Sequence, residues 1–386
     1  MKILSIFNNK GGVGKTTLTY HLGHILAEMD KKVLMIDLDP QCNLSIYSIL
    51  EQEIGAIWEK ENDFIKDFKA AKEKMGEIAF QKLISEPRSI HFLLSPTEQG
   101  ESDLETLPPP YSLTDGTISG KLDLIVGRLS VNTYESIISE RWSKAMLSDP
   151  LALRTIFKIR NIAQEYSKKN DYDFVLIDTS PSLGTLNKAI ISTVDGFFIP
   201  CLPDLFSLYG IRNIGEALDI WKKEFDVMRL LLKNGKKEIY DFPFVKFLGY
   251  TIFNAKKYTG VNDLDLAKGN YYYAQLIAES IQKYIAKDIA ISKNVDKNIG
   301  SKSIMYTHNT HPNFAQRLKT PIWNLGKCDF DAYVKKYPEE AEDINKYKQT
   351  MPLQKDALEE IRKGYETFAK DLLERIELLD RPVTHG

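Results

Sequence analysis

Apolar residues follow two rhythms along this chain. Short, nearly unbroken runs recur at Lys2–Phe7 (KILSIF), Lys32–Asp37 (KVLMID), Leu122–Val126, Asp173–Asp178, Gly196–Cys201 and Phe247–Asn254. Runs of that length, apolar on both faces, predict buried parallel strands. Between them the spacing turns helical. Residues Thr16–Met29 place Leu18, Leu22, Ile25, Leu26 and Met29 on one face, and 153–169, 211–233, Tyr271–Tyr284 and 355–379 also read as helices. Ile65–Ile84 reads as one polar amphipathic helix carrying Phe68, Ala71, Met75 and Ile78, and Pro108–Pro110 breaks any regular element. Strands alternating with helices predict an α/β fold, a doubly wound and mostly parallel sheet, as one domain over residues 1–386.

Composition narrows the class. The 386 residues are 43% hydrophobic and 27% charged, enough to bury a core without metal or disulfide staples. Three widely spaced cysteines, Cys42, Cys201 and Cys328, include no CxxC pair, which argues for a reducing compartment and against a zinc site. No run approaches the length of a membrane span, and the N-terminus turns polar too soon for a signal peptide. A cytoplasmic chain is expected. The net charge of −2 excludes a global basic excess.

The first strand is followed by Asn9-Lys10-Gly11-Gly12-Val13-Gly14-Lys15-Thr16-Thr17 and then the first helix. The usual phosphate loop reads GxxxxGK[ST]; here Asn9 replaces the first Gly. Gly11, Gly12 and Gly14 let backbone N–H groups converge on an anion, and the helix N-terminus adds its dipole. Lys15 supplies a point charge for the β- and γ-phosphates, and the Thr16 hydroxyl is placed for Mg²⁺. Lys10 is a second lysine at the loop's entrance. Either it reaches a nucleotide on a facing subunit, or it is a solvated surface lysine. Asp37 and Asp39 end the second strand, where carboxylates of parallel strands face the ligand crevice. Asp37 suits indirect support of Mg²⁺, and Asp39 suits holding the attacking water; alternatively both cap the turn that Pro40 fixes.

KGGVGKTT followed by VLMIDLDPQCNLS resembles the deviant Walker A family of ParA, Soj and MinD ATPases, closest to the ParA-type partition ATPases. The resemblance implies a slow, partner-stimulated ATP hydrolase. Two subunits close around two ATP molecules, Lys10 crosses the interface, and Asp39 is tied to hydrolysis. Gly11 to Thr17, Val13 included, would bind the nucleotide. DFVLIDTSPSLG resembles the family's Walker B and switch segment, usually written DTPPSLG, with Asp178 holding Mg²⁺ through water. Ser180 departs from the family's proline, and Gly184 would let the segment shift. Asn254 would contact adenine, although a capping Asn at a strand end is the rival view. The implied partners are a second copy of the chain, a ParB-like activator and, in this family, non-specific DNA.

The rest of the chain is less familiar. Residues 51–118 look like an enlarged connection, serving as a lid, a partner surface or an inert elaboration, and 327–352 match no part of the family. Residues 51–150 carry 11 basic and 18 acidic residues, a net of −7; residues 222–319 carry 17 and 9, a net of +8. Lys222, Lys223, Arg229, Lys233, Lys236, Lys237, Lys283 and Arg317 are the candidates for a phosphate-contacting surface, against a merely solvated face. The mixed charge of 355–379 suits a helix packed on the sheet better than a MinD-like membrane anchor. His308 and His311 have metal-compatible spacing, but no nearby carboxylate or cysteine completes a ligand set. The leading expectation is a switch in DNA or plasmid partition or cargo positioning. The alternatives are a MinD-like membrane-positioning ATPase, a metabolic ligase on the same fold, or a ParA-like module recruited to plasmid maintenance or defence through 51–118.

Overall fold

The structure is a computed structural model and describes residues 1–114, 118–232, 235–285, 288–291, 298–308 and 310–380. The short apolar runs form β1 (Lys2–Ile6), β2 (Lys32–Asp37), β4 (Lys121–Ile125), β5 (Phe174–Asp178), β6 (Gly196–Cys201) and β7 (Lys246–Ile252). Together with a two-residue strand, β3 (Tyr111–Ser112), they make one sheet in the order β3-β4-β2-β5-β1-β6-β7. Every pairing is parallel except β3 with β4. The small antiparallel edge was not expected; two residues carry no periodicity to read.

Alternation along each strand sorts its side chains onto two cores. Ile3, Leu34, Ile36, Val175, Ile177, Phe197 and Ile199 face one; Leu4, Ile6, Val33, Met35, Leu176 and Phe198 face the other. The helices are α1 (Lys15–Glu28), α2 (Asn43–Ser48), α3 (Glu51–Lys66), α4 (Phe68–Met75), α5 (Glu77–Ile84), α6 (Ile90–Glu98), α7 (Asn132–Met146), α8 (Pro150–Asn170), α9 (Thr185–Thr193), α10 (Leu205–Leu230), α11 (Lys237–Tyr240), α12 (Lys268–Tyr284), α13 (His311–Arg317), α14 (Phe330–Lys336), α15 (Ala341–Thr350) and α16 (Lys355–Glu377). Buried side chains of α7, α8, α9, α10 and α12 fill the first core, and those of α1, α2 and α16 fill the second. Phe368 of α16 meets Phe198 of β6 edge to face, and Arg375 donates to the Leu248 carbonyl oxygen at 3.0 Å. The apolar stripe of α16 is therefore spent on the sheet.

The single helix expected over Ile65–Ile84 is three pieces. Asp67 accepts from the Ala70 N–H at 2.9 Å and so caps α4, which starts a helix where one was expected to continue. Gly76 then takes φ 77°, a left-handed backbone that ends α4 and re-aims α5. The break folds Phe64, Phe68, Phe80 and Phe92 into one aromatic cluster, with ring centroids 5.3 to 6.1 Å apart. This cluster belongs to the first core, so residues 51–98 are packed on the sheet and not tethered beside it.

A buried charge fixes that packing. Glu61 accepts from the Ser89 N–H at 2.7 Å and from Arg128 Nη1 at 3.3 Å. Arg128 also donates to the Trp58 carbonyl oxygen, and Trp58 Nε1 donates to the Gly127 carbonyl oxygen at 2.9 Å. Pairing and hydrogen bonds offset only part of their desolvation, since burial still raises the Glu61 carboxyl and lowers Arg128.

Candidate nucleotide site

The loop after β1 is held from both sides. Asn8 Nδ2 donates to the Pro200 carbonyl oxygen at 2.7 Å, and Asn8 Oδ1 accepts from the Lys10 N–H at 2.9 Å. Gly12 and Gly14 have φ of 73° and 86°. At Gly14 a Cβ would also overlap the Phe253 ring, so the loop needs glycine there for conformation and for space. The helix starts at once, with the Leu18 N–H on the Gly14 carbonyl oxygen at 2.8 Å. Lys15 curls back over the loop and donates to the Lys10 carbonyl oxygen at 3.1 Å.

Three carboxylates gather beside it. Parallel register sets Asp37 of β2 opposite Asp178 of β5. Asp178 Oδ2 accepts from the Thr16 hydroxyl at 2.7 Å. Asp37 Oδ2 accepts from the Ser45 N–H and hydroxyl at 2.8 and 2.6 Å. Asp39 Oδ1 accepts from the Gln41 N–H at 2.9 Å, which makes part of the turn-capping view correct whatever else Asp39 does. Asp37 and Asp178 are fully buried. Burial pushes the Asp37 carboxyl up to about 7, against the pull of Ser45. Burial raises Asp178 too, with the Asp37 charge adding to it. Desolvation lowers Lys15, opposed by Asp178 and Asp39.

A divalent cation fits this donor set. The Lys15 charge opposes the burial of Asp178, the neighbouring Asp37 charge adds to it, and Thr16 already points its hydroxyl at Asp178. Among the described residues no three His, Cys, Asp or Glu side chains form a metal cage. A cation here would lean on water and phosphate oxygens, which is the habit of Mg²⁺.

A cavity of about 510 Å³ opens over the loop. Gly11, Gly12, Gly14, Lys15, Thr16 and Thr17 line one side. Val13 is buried beneath the loop and does not line it. Asn254 also lines the cavity, in a left-handed conformation, φ 57°, two residues past β7. Beside it stand Phe253, Tyr306, His308, Asn313 and Gln316, none of which was singled out as a nucleotide contact. The 306–316 wall lies more than fifty residues after Asn254 in sequence, and no motif announces it. Phe253 left a fainter trace, as the aromatic residue next to the chosen Asn.

The segment after β5 is stapled. Asn187 Nδ2 donates to the carbonyl oxygens of Ser180 and Ser182, each at 2.9 Å, which supplies the stiffness a proline at 180 would have given. Gly184 sits at the N-cap of α9, and a Cβ there would meet Glu135.

In the single chain the Lys10 side chain has a partner of its own. Its ammonium lies 2.5 Å from Asp204 Oδ2 of the same chain. The basic surface is also thinner than its composition implied. Lys222 pairs with Asp226 at 2.7 Å and Asp288 at 3.3 Å; Arg229 pairs with Asp241 at 2.7 Å; Arg317 lies 3.5 Å from Asp343. Lys223, Lys237 and Lys283 are exposed, Lys236 is half-buried, and Lys233 lies outside the described residues. His21, His24, His308 and His311 are packed among aromatics. His21 Nδ1 is 2.6 Å from the Thr17 carbonyl oxygen, its Nε2 accepts from the Ile322 N–H, and burial lowers it to about 3. His311 Nδ1 lies 2.5 Å from the Tyr347 hydroxyl. Among the described residues no helix is long and apolar enough to cross a membrane.

Comparison with known proteins agrees with this geometry. The model of the AAA_31 family, an AAA domain, matches residues 1–99 and 121–229. An uncharacterized protein of Methanocaldococcus jannaschii is 30% identical over 219 residues, covering 57% of this chain and 66% of that protein. The chromosome partitioning protein ParA of Myxococcus xanthus is 25% identical over 58% of this chain and 59% of its own. The chain thus spans about half to two thirds of the length of several curated relatives. The structure of pNOB8 ParA superposes with a TM-score of 0.58 at 18% identity, covering 97% of this chain and 98% of that one. The same protein bound to nonspecific DNA gives 0.53 at 19% identity, with coverages of 97% and 98%. A phosphate loop with a second lysine, carboxylates at the ends of β2 and β5, and a family match over more than half its length lead to one conclusion: this chain belongs to the AAA_31 family, the ParA-type group of P-loop ATPases.

Proposed function

We propose that this chain is a cytoplasmic, Mg²⁺-dependent ATPase that works as a nucleotide switch in DNA partition or cargo positioning. ATP closes a homodimer face to face; hydrolysis opens it. The carrying observation is the convergence of Lys15, Thr16, Asp37, Asp39 and Asp178 at one end of the parallel strands, beside a cavity walled by Asn254. Backbone N–H groups from Gly11 to Thr17 cradle the phosphates, and Lys15 leaves the Lys10 carbonyl for them. Thr16, Asp37 and Asp178 would be the residues that hold Mg²⁺. When bound, the ion would supply charge neutralisation for the phosphates. Asp39 orients the attacking water. Lys10 reaches the triphosphate of the facing subunit, and Asn254 meets the adenine.

The output is an altered affinity for a surface and not a product. A switch of this kind requires ATP to favour the dimer over the monomer. The pNOB8 ParA relative has been seen on nonspecific DNA, and we extend that to this chain through Lys223, Lys236 and Lys237, with the ion-paired Lys222 as a further candidate. A ParB-like activator would set the turnover.

Sedimentation of the full chain with ATP, with ADP and without nucleotide tests this reading, paired with a DNA-binding titration over a salt series. The expected result is a dimer with ATP alone, DNA binding that follows the dimer, and neither in Lys15→Ala. A chain that binds ATP and stays a single subunit at high concentration overturns it.

A further inference from the structure

Asp204 divides its two oxygens. Oδ1 accepts from the Ser207 N–H at 2.9 Å and caps α10; Oδ2 takes the Lys10 ammonium at 2.5 Å. The Phe206 ring covers the same ammonium from 5.6 Å. Helix and loop meet closely, because Gly210 leaves no Cβ against Asn9 Oδ1. The Lys10 backbone is gripped as well: its N–H by Asn8, its carbonyl by Lys15. The pair is partly exposed, at 22% for Lys10 and 36% for Asp204, so it can open without unfolding anything.

We infer that Asp204 is a positioning residue that parks Lys10 in its own subunit, so that closing the ATP-bound dimer exchanges this ion pair for the triphosphate of the facing subunit. The inference rests on the dimer reading above and adds the regulation of that site. One ammonium serves one anion at a time. A nucleotide draws Lys15 away from the Lys10 carbonyl, which loosens the grip on Lys10. A triphosphate on the facing subunit then outbids one half-exposed carboxylate by charge. Asp204 holds the dimer back, and dimerisation becomes conditional on both sites being filled.

The magnitude follows from the exposure of the pair. A partly exposed ion pair shifts an equilibrium by a few-fold. Each dimer must open two of them, so the factors multiply to roughly ten-fold in the dimer dissociation constant. Asp204→Asn removes the charge and keeps an equally good helix cap. Asp204→Ser is a second capping variant should the first fold poorly. The full chain is followed by analytical ultracentrifugation with Mg²⁺ and a non-hydrolysable ATP analogue. Asp204→Asn should tighten the dimer about ten-fold, Asp204→Glu should restore much of the parental value, and ADP should leave every variant monomeric. In a Lys10→Ala background the Asp204→Asn change should move nothing, which a purely capping role would not predict. A parent that dimerises with a constant the substitution leaves within two-fold overturns the exchange alone. A parent and an Asp204→Asn variant that both stay monomeric with the analogue overturn the dimer reading and the exchange together.

Discussion

Asp37 carries a cost that the free protein bears and a cation would relieve. Its folded pKa, about 7, lies above the ordinary value of 3.8. Between those values the folded state holds a proton that the unfolded chain has lost. Stability from this group is therefore greatest below about pH 4 and falls as pH rises through 7. The ceiling on that loss is about 4 kcal/mol, from three pK units. Asp37→Asn, which keeps an acceptor for Ser45, should melt higher than the parent at pH 8 without nucleotide, with the gap closing towards pH 4. Thermal melts across that range check it; a gap independent of pH would show that the carboxylate is not the group being titrated. Mg²⁺ with ATP should raise the parent's melting temperature at pH 8 by more than the variant's, because only the parent has a carboxylate charge for the ion to offset. Asp39 bears on turnover instead: Asp39→Ala should retain ATP and hold the dimer, measured as retained nucleotide and lost phosphate release. Roles for Lys15, Thr16, Asp37 and Asp39 could be named from sequence because they sit within a few residues of a glycine loop or at a strand end. Asp204, Ser45, Asn187 and the cavity wall around Tyr306 and Gln316 could not: Asp204 meets Lys10 across 194 residues, the wall lies more than fifty residues past Asn254, and Ser45 and Asn187 serve partners 8 and 5 residues away through turns that carry no motif.

At the scale of elements, the segment over 51–98 behaves as part of the core. Phe80 is 2% exposed and touches Phe64 and Phe68. Phe80→Ala should cost about 3–5 kcal/mol through lost burial and the cavity left behind. A lowered but still single melting transition is the expected outcome, because the same cluster continues into β2 and α8. Two separate transitions would mean that this segment folds on its own. The long helices and central strands were readable because burial imposes a period over many residues. The break at Asp67 and Gly76 was not, since one cap and one positive φ outweigh an apolar spacing that runs on through them.

For the whole molecule, Glu61 is the joint between that segment and the sheet. It lies among Ser89, Arg88 and Arg128, and Arg128 follows Gly127, whose N–H donates to the Ser45 hydroxyl that serves Asp37. Glu61→Ala would leave the buried Arg128 guanidinium without its carboxylate, at about 3–5 kcal/mol. Urea unfolding should show that loss, and Glu61→Gln should recover part of it through the Ser89 bonds. Equal stability of the Ala variant and the parent would show that water reaches Arg128 unaided.

By itself the sequence determined the strand–loop–helix order, the phosphate loop with its extra lysine and the carboxylates that end β2 and β5. Each is written in neighbouring residues, where periodicity and backbone chemistry act locally. Tertiary structure decided which distant groups those residues meet: Asp204 for Lys10, Ser45 for Asp37, the 306–316 wall for the cavity, and acidic partners that quiet Lys222 and Arg229. Charge and hydrogen bonding act through space at a few ångströms, and only the folded sheet brings such groups that close.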